Sequence, residues 1–238
     1  MTYGAKKNRI EALDAVRGIC IILMVVYHGA FDLIEFGFLD ARLIYNGLVI
    51  FLQFVFSSMF ILISGISSNF SHSNVKRGFI ALGAAVLVSA ATYFAGALVR
   101  FGILHFLGCA MVFYGLTSRF WDRIPRYVAP ILYIALFALF WKLTQGRFDL
   151  PYLGWLGFPA KDYTSADYYP ILPWIFMFLL GTWLGKPVKQ RRLPERFYTV
   201  RIPVLPVIGR WSLVIYLVHQ PVMYGLVTLL SKLTQGVY

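Results

Sequence analysis

The sequence is short of charged residues. Asp, Glu, Lys and Arg together make up 13% of its 238 residues, whereas a soluble globular domain carries about 25%. Apolar runs of roughly 20 residues take their place, and a run of that length crosses the hydrocarbon core of a bilayer. A water-soluble fold, a disordered tail and a fibrous protein are therefore disfavoured, and the lipid bilayer is the expected surrounding.

Cysteine and metal-binding patterns are also scarce. Cys20 and Cys109 both lie inside apolar runs, which indicates small core side chains rather than a disulfide. The four histidines form no H-x-x-x-H or H-E-x-x-H pattern, so we expect no metal site. The first apolar run is long and lacks an A-x-A cleavage site, which predicts a retained helix.

Acidic residues are few beside basic ones, with 10 Asp and Glu against 22 Lys and Arg and a net charge of +12. Such an excess is compatible with a nucleic-acid partner. In a membrane protein, however, basic residues collect in cytoplasmic loops. We therefore expect no nucleic acid.

The hydrophobic pattern predicts an all-α polytopic bundle of about seven spans, forming a single transmembrane domain over residues 1–238. Only Arg100 separates the third span from the fourth, so one broken helix is an alternative there. The expected spans are Val16–Phe36, Ile44–Ser67, Gly78–Val99, Phe101–Thr117, Tyr127–Leu143, Ile171–Lys186 and Pro206–Leu230.

Basic residues predict the orientation. Most Lys and Arg residues fall in alternate loops, from Lys6 and Lys7 to the dense run Lys186–Arg201. The positive-inside rule then places the N-terminus inside and the C-terminus outside. The longest outer loop, residues 142–169, is rich in Tyr, Trp, Gly and Pro. It is either a structural cap with an interfacial aromatic belt or a rim that binds carbohydrate.

The first helix carries a polar face. His28 lies eleven residues after Arg17, so their azimuths differ by only about 20° and their depths by about 16 Å. Asp14 precedes Arg17 by three residues and Asp32 follows His28 by four, which are spacings of helical neighbours. Asp14 and Arg17 suit an interfacial ion pair, and Arg17 also suits phosphate binding.

A histidine with an aspartate one turn away inside a span is a candidate catalytic pair. A lone histidine on an apolar face is usually a satisfied core residue. Ionisable groups inside a membrane are costly, however, and usually face a cavity or a partner. An imidazole beside an orienting carboxylate is what a general base requires. We therefore predict that His28 and Asp32 are catalytic. Other polar side chains are candidates for the wall of the same cavity: Gln53, Arg100, His105 and His219.

At these residues the sequence resembles a known family. The stretch LDAVRGICIILMVVYH (13–28) is similar to the opening of the heparan-alpha-glucosaminide N-acetyltransferase catalytic domain and its small bacterial relatives. The resemblance continues in FILISGISS (60–68), ILHFLGCAMVFYGL (103–116), LPWIFMFLLGTWLGK (172–186) and GRWSLVIYLVHQP (209–221).

The resemblance implies a membrane acyltransferase of the bacterial inner membrane, with cytoplasmic acetyl-CoA as donor and an amino sugar or glycan on the far side as acceptor. It also implies that His28 is the central catalytic residue and that basic residues hold the co-substrate. This chain lacks the extra spans and large lumenal part of the lysosomal enzyme, so heparan is not implied. The candidate acetyl-CoA residues are Arg17, Lys76, Arg77, Arg123 and Arg126.

Two other classes remain open. A proton-coupled small-molecule transporter also places His and Asp inside the membrane, although no repeated half is evident. A non-catalytic cell-envelope protein would instead pack the polar face against a partner.

Overall fold

The structure is a computed structural model and describes residues 9–148, 150 and 152–235. Lys6 and Lys7, and residues 149 and 151 of the long loop, lie outside the described residues. The described chain is helical and contains no strand longer than an isolated bridge. Its helices are α1 (Glu11–Glu35), α2 (Gly47–Ser68), α3 (Asn74–Phe94), α4 (Ile103–Trp121), α5 (Val128–Leu143), α6 (Ile171–Lys189), α7 (Glu195–Thr199), α8 (Leu205–Arg210) and α9 (Ser212–Gln235).

The all-α membrane fold is confirmed. Six of these helices are long and apolar enough to cross a bilayer, and α5 is a shorter apolar helix, so about seven spans are present. Many of their large apolar side chains are exposed, for example Val26 at 62% and Ile131 at 70%. Lipid contact explains that exposure, because lipid chains are as apolar as these side chains.

The chain divides into two compact units. The first contains the residues up to Phe60 together with those from Leu193 onward, and the second is Ile61–Arg192. The expectation of one domain over the whole chain stays a prediction.

In the first unit, α1 packs against α8 and α9. Contacts run in the same order along α1 and α9, from His28 with His219 to Phe36 with Tyr224, so the two helices are parallel. The predicted last span is Pro206–Leu230, and its first residue is wrong. The helix is interrupted at Trp211, and the long segment starts at Ser212.

In the second unit, α3 and α4 are separate antiparallel helices, which rules out one broken helix. The turn between them contains Gly96 at φ +76°, a conformation that glycine adopts without strain. Ser89 and Thr92 of α3 hold the turn by hydrogen bonds to the backbone of Val99. Gly78 lies against Val112 of α4 and allows the two helices to approach closely.

Candidate active site

The polar face of α1 carries an ion pair at its first turns. The Arg17 Nη1 and Asp14 Oδ1 atoms are 2.8 Å apart, and both side chains are mostly buried, at 16% and 14% exposure. The pair predicted from the three-residue spacing is therefore present. Because the two opposite charges neutralise each other, Arg17 and Asp14 can both lie at a largely buried position.

His28 is paired with a second histidine, from α9. Its Nδ1 atom lies 3.0 Å from Nε2 of His219, and the ring centroids are 5.0 Å apart. His28 is half-buried and His219 is 9% exposed. The pair is therefore a hydrogen-bonded contact between two helices of the first unit.

The backbone of α9 determines the tautomers of this pair. Nδ1 of His219 lies 2.6 Å from the carbonyl oxygen of Tyr216, and a carbonyl only accepts, so Nδ1 carries the hydrogen and donates. In a neutral ring, Nε2 of His219 is then an acceptor and receives the Nδ1–H of His28. The lone pair of His28 is left on Nε2, which has no hydrogen-bond partner among the described residues. His28 is thus held in the tautomer that a base or nucleophile requires.

Asp32 lies one turn beyond His28 but has a different partner. Its Oδ1 accepts a hydrogen bond of 2.8 Å from Nε2 of Gln220. We expected Asp32 to orient His28. In the structure the ring of His28 is hydrogen-bonded by His219, and Asp32 by Gln220.

The Asp32 carboxylate is buried, at 1% exposure. Its Oδ2 and the Oε1 of Gln220 are buried and have no hydrogen-bond partner among residues 9–148, 150 and 152–235. Leaving a buried carboxylate oxygen unpaired costs free energy. Such an arrangement is expected where charge serves a function rather than stability.

A glycine allows α1 and α9 to approach beside these residues. Gly29 follows His28, and a Cβ there would overlap the Cε methyl of Met223. Eleven residues earlier, at the same spacing as Arg17 and His28, Gly18 lies against the backbone of Leu205 and Gly209 in α8. The glycine face of α1 therefore packs against α8 and α9 next to the polar face.

The remaining predicted cavity residues are not brought to this pair by any described contact. Gln53 is exposed on α2. In the second unit, Arg100 lies over the ring of Tyr163, at 5.5 Å from its centroid.

His105 has both ring nitrogens occupied at the beginning of α4. Its Nδ1 accepts from the backbone N–H of Gly102, and its Nε2 is 3.2 Å from the Ser89 hydroxyl. Asp167 accepts from the N–H of Ile103 at the same helix end. The contacts of His105 are those of a residue that caps a helix.

The candidate acetyl-CoA residues of the second unit are exposed and lie at one end of it. Lys76 and Arg77 are in the first turn of α3, while Arg123 and Arg126 follow α4. Because Gly115 of α4 lies against Val75, the beginning of α3 and the end of α4 are neighbours.

Burial of Tyr168, in the long loop of the same unit, raises the pKa of its hydroxyl, which donates to the carbonyl of Gly154.

Gln220 was not predicted as a site residue. The signal was present, since two consecutive polar residues, His219 and Gln220, interrupt an apolar run. Gln220 directly precedes Pro221, and the sequence alone does not show that it has a role beyond that of a residue beside a helix-bending proline. The contact to α1 supplies that information.

These helices and the hydrogen-bonded histidine pair define an integral membrane protein with a polar centre between two helices. The chain belongs to the heparan-alpha-glucosaminide N-acetyltransferase catalytic family, whose family model matches residues 9–221. The resemblance seen in the sequence is thereby confirmed, and the family is one of membrane acetyltransferases. Neither the curated proteins nor the solved structures that were compared contain a match.

Proposed function

We propose that this protein transfers an acetyl group from cytoplasmic acetyl-CoA to an amino sugar or glycan acceptor on the far side of a bacterial inner membrane. The observation that carries the proposal is the His28–His219 pair, which leaves the lone pair of His28 on Nε2, an atom without a hydrogen-bond partner in the described part of the chain. Family membership supports the reaction class.

The chemistry follows from that lone pair. His28 Nε2 takes the proton from the acceptor N–H or O–H while the acceptor atom attacks the thioester carbonyl carbon. The carbon–sulfur bond then breaks, and the proton passes from His28 to the departing thiolate of CoA. In the alternative route the same lone pair attacks the thioester carbonyl carbon, the carbon–sulfur bond breaks, and CoA leaves as a thiolate. The acceptor then attacks the acyl-histidine, the bond between the acetyl group and Nε2 breaks, and the acceptor's proton passes to the thiolate.

His219 supports either route. When His28 becomes an imidazolium, its Nδ1–H donates to the neutral Nε2 of His219 as a charge-assisted hydrogen bond. The buried carboxylate of Asp32, one turn away, carries the opposite charge and stabilises the imidazolium of His28. Asp32 is therefore proposed as a charge partner of the pair rather than as the residue that orients the ring.

Basic residues are proposed to hold the nucleotide part of acetyl-CoA. Lys76, Arg77, Arg123 and Arg126 form an exposed basic group at one end of the second unit, suited to phosphates. Arg17 is the candidate within α1, where its guanidinium already pairs with Asp14.

The test is acetyl transfer by the purified protein. Wild type would be incubated with radiolabelled acetyl-CoA and a panel of amino-sugar and glycan acceptors, beside His28→Ala and the control His72→Ala, which changes an exposed loop histidine. We expect His28→Ala to lower the rate by about 10²- to 10⁴-fold, the usual contribution of a general base, and His72→Ala to match wild type.

The outcomes separate the alternatives. No binding or turnover of acetyl-CoA by wild type would exclude the enzyme and favour a transporter or a non-catalytic envelope protein. Label that stays on wild type but not on His28→Ala after acid-free isolation would indicate an acyl-histidine.

A further inference from the structure

Two hydrogen bonds join α1 to α9 within one turn. The first is His28 with His219 at 3.0 Å, and the second is Asp32 with Gln220 at 2.8 Å. On α1, the two residues are four apart and differ by about 40° in azimuth, whereas His219 and Gln220 are consecutive and differ by about 100°. A single bond would let α9 roll about its axis, but two bonds at such different azimuths hold its rotation.

The second bond has no substitute among the described residues. Asp32 Oδ2 and Gln220 Oε1 are buried and unpartnered, so the one bond between the two side chains is all that either makes. Loss of Gln220 would therefore leave the Asp32 carboxylate buried without any donor, a costly state that side-chain or helix movement would relieve.

The helix also has a reason to need this restraint. Pro221 lies inside α9 directly after Gln220, and its missing N–H leaves the carbonyl one turn earlier without its usual partner. The backbone is accordingly weakest beside the histidine whose Nε2 must face His28.

We propose that Gln220 is a positioning residue, whose hydrogen bond to Asp32 holds α9 in the rotation at which His219 meets His28. The proposal rests on the proposed acetyl transfer for its kinetic test, while its geometric test is independent of activity. Gln220 touches no reacting atom and acts through His219 and Asp32.

The kinetic test is a double-mutant cycle of Asp32→Leu and Gln220→Leu, with Asp32→Asn as the conservative variant and Val222→Leu as the control on the exposed side of α9. We expect each leucine variant at the bridge to lower kcat about 10- to 100-fold with KM within about threefold. The double variant should be no slower than Asp32→Leu, because Asp32→Leu already lacks the hydrogen bond that Gln220→Leu removes. Asp32→Asn keeps an acceptor for Gln220 but removes the charge, so it should be slower than wild type and at least about threefold faster than Asp32→Leu.

The proposal would be overturned if the fold-losses in kcat of the two single variants multiplied in the double variant. It would also be overturned if the variants changed KM rather than kcat. An Asp32→Asn variant as slow as Asp32→Leu would overturn it as well, since charge alone would then account for Asp32. If Gln220→Leu does not fold, Gln220→Asn replaces it in the cycle, because it keeps the amide but is too short to reach Asp32.

The geometric test uses the neighbouring rings of Phe36 and Tyr224, whose centroids are 5.4 Å apart. Phe36→Cys and Tyr224→Cys would be combined, and oxidative cross-linking measured in purified protein with and without Gln220→Leu. We expect the cross-linking rate to fall at least about threefold with Gln220→Leu and to be unchanged with Val222→Leu. An unchanged rate with Gln220→Leu would overturn the proposal, whereas a wild type without acetyl transfer would refute the proposed function alone.

Discussion

A histidine, rather than a carboxylate, determines the tautomer of His28. The Tyr216 carbonyl accepts from Nδ1 of His219 at 2.6 Å, and this single backbone contact propagates through the pair to Nε2 of His28. A neutral acceptor holds the ring without adding a second buried charge, which inside a membrane would be costly. The charge of Asp32 is supplied one turn away instead.

Replacing His219 should therefore separate its acceptor role from its size. His219→Leu removes the acceptor and should lower the rate of acetyl transfer about 10- to 100-fold, a part of the contribution expected of general-base catalysis. His219→Gln places an amide oxygen near the position of Nε2 and should recover most of that loss. Initial rates of both variants with labelled acetyl-CoA measure the difference, and equal rates would show that His219 only fills space.

At the scale of helices, the site requires α8 and α9 to pack closely against α1. Gly18 and Gly209 lie face to face, and Gly209 also contacts the backbone of Asp14. This is close small-residue packing of the kind that drives helix association in membranes. It places Arg17 and Asp14 directly beside the contact with α8.

A methyl group at Gly209 should push α8 away from α1. A Cβ there would overlap the backbone carbonyl of Asp14, which cannot rotate aside as a side chain can. We expect Gly209→Ala to destabilise the protein by about 1–3 kcal/mol, or roughly 2–12 °C in Tm. Thermal unfolding in detergent measures this.

The matched control is Gly225→Ala, in the same unit, because a Cβ at Gly225 meets nothing within 4 Å. The control should unfold within about 1 °C of wild type or slightly above it, since alanine favours helix over glycine. Similar losses in both variants would show that the α1–α8 contact is not the cause.

At the scale of the whole molecule, the directions of the helices agree with a chain that crosses the membrane at each span. The first and last long helices, α1 and α9, are parallel. Within the second unit, neighbouring helices α3 and α4 are antiparallel. If every span traverses the bilayer, an odd number of crossings, about seven, puts the beginning of α1 and the end of α9 on opposite sides.

Labelling of single cysteines tests the N-in orientation. In a chain with Cys20→Ala and Cys109→Ala, a cysteine would replace either Ala97, exposed between α3 and α4, or His72, exposed between α2 and α3. With the N-terminus inside, an impermeant maleimide should label Ala97→Cys on intact cells and His72→Cys only after permeabilisation. The reverse pattern would invert the orientation and move the proposed acetyl-CoA side with it.

The sequence alone determined the spans and the polar face of α1. Hydrophobic runs of bilayer length are a strong local signal, and the eleven-residue spacing of Arg17 and His28 depends only on helix geometry. The Asp14–Arg17 pair was predictable for the same reason, because both residues belong to one helix. The break at Trp211 was not predicted, although Arg210 and Ser212 interrupt the apolar run on either side of it.

Only the tertiary structure decided which helix faces His28. Residues 191 positions apart meet in the His28–His219 contact, and no periodicity within a segment reports on the partner of its polar face. Gln220 acquired its role in the same way, because its amide has meaning only opposite Asp32. Local patterns specify helices and their faces, whereas the pairing of two faces is a property of long-range packing.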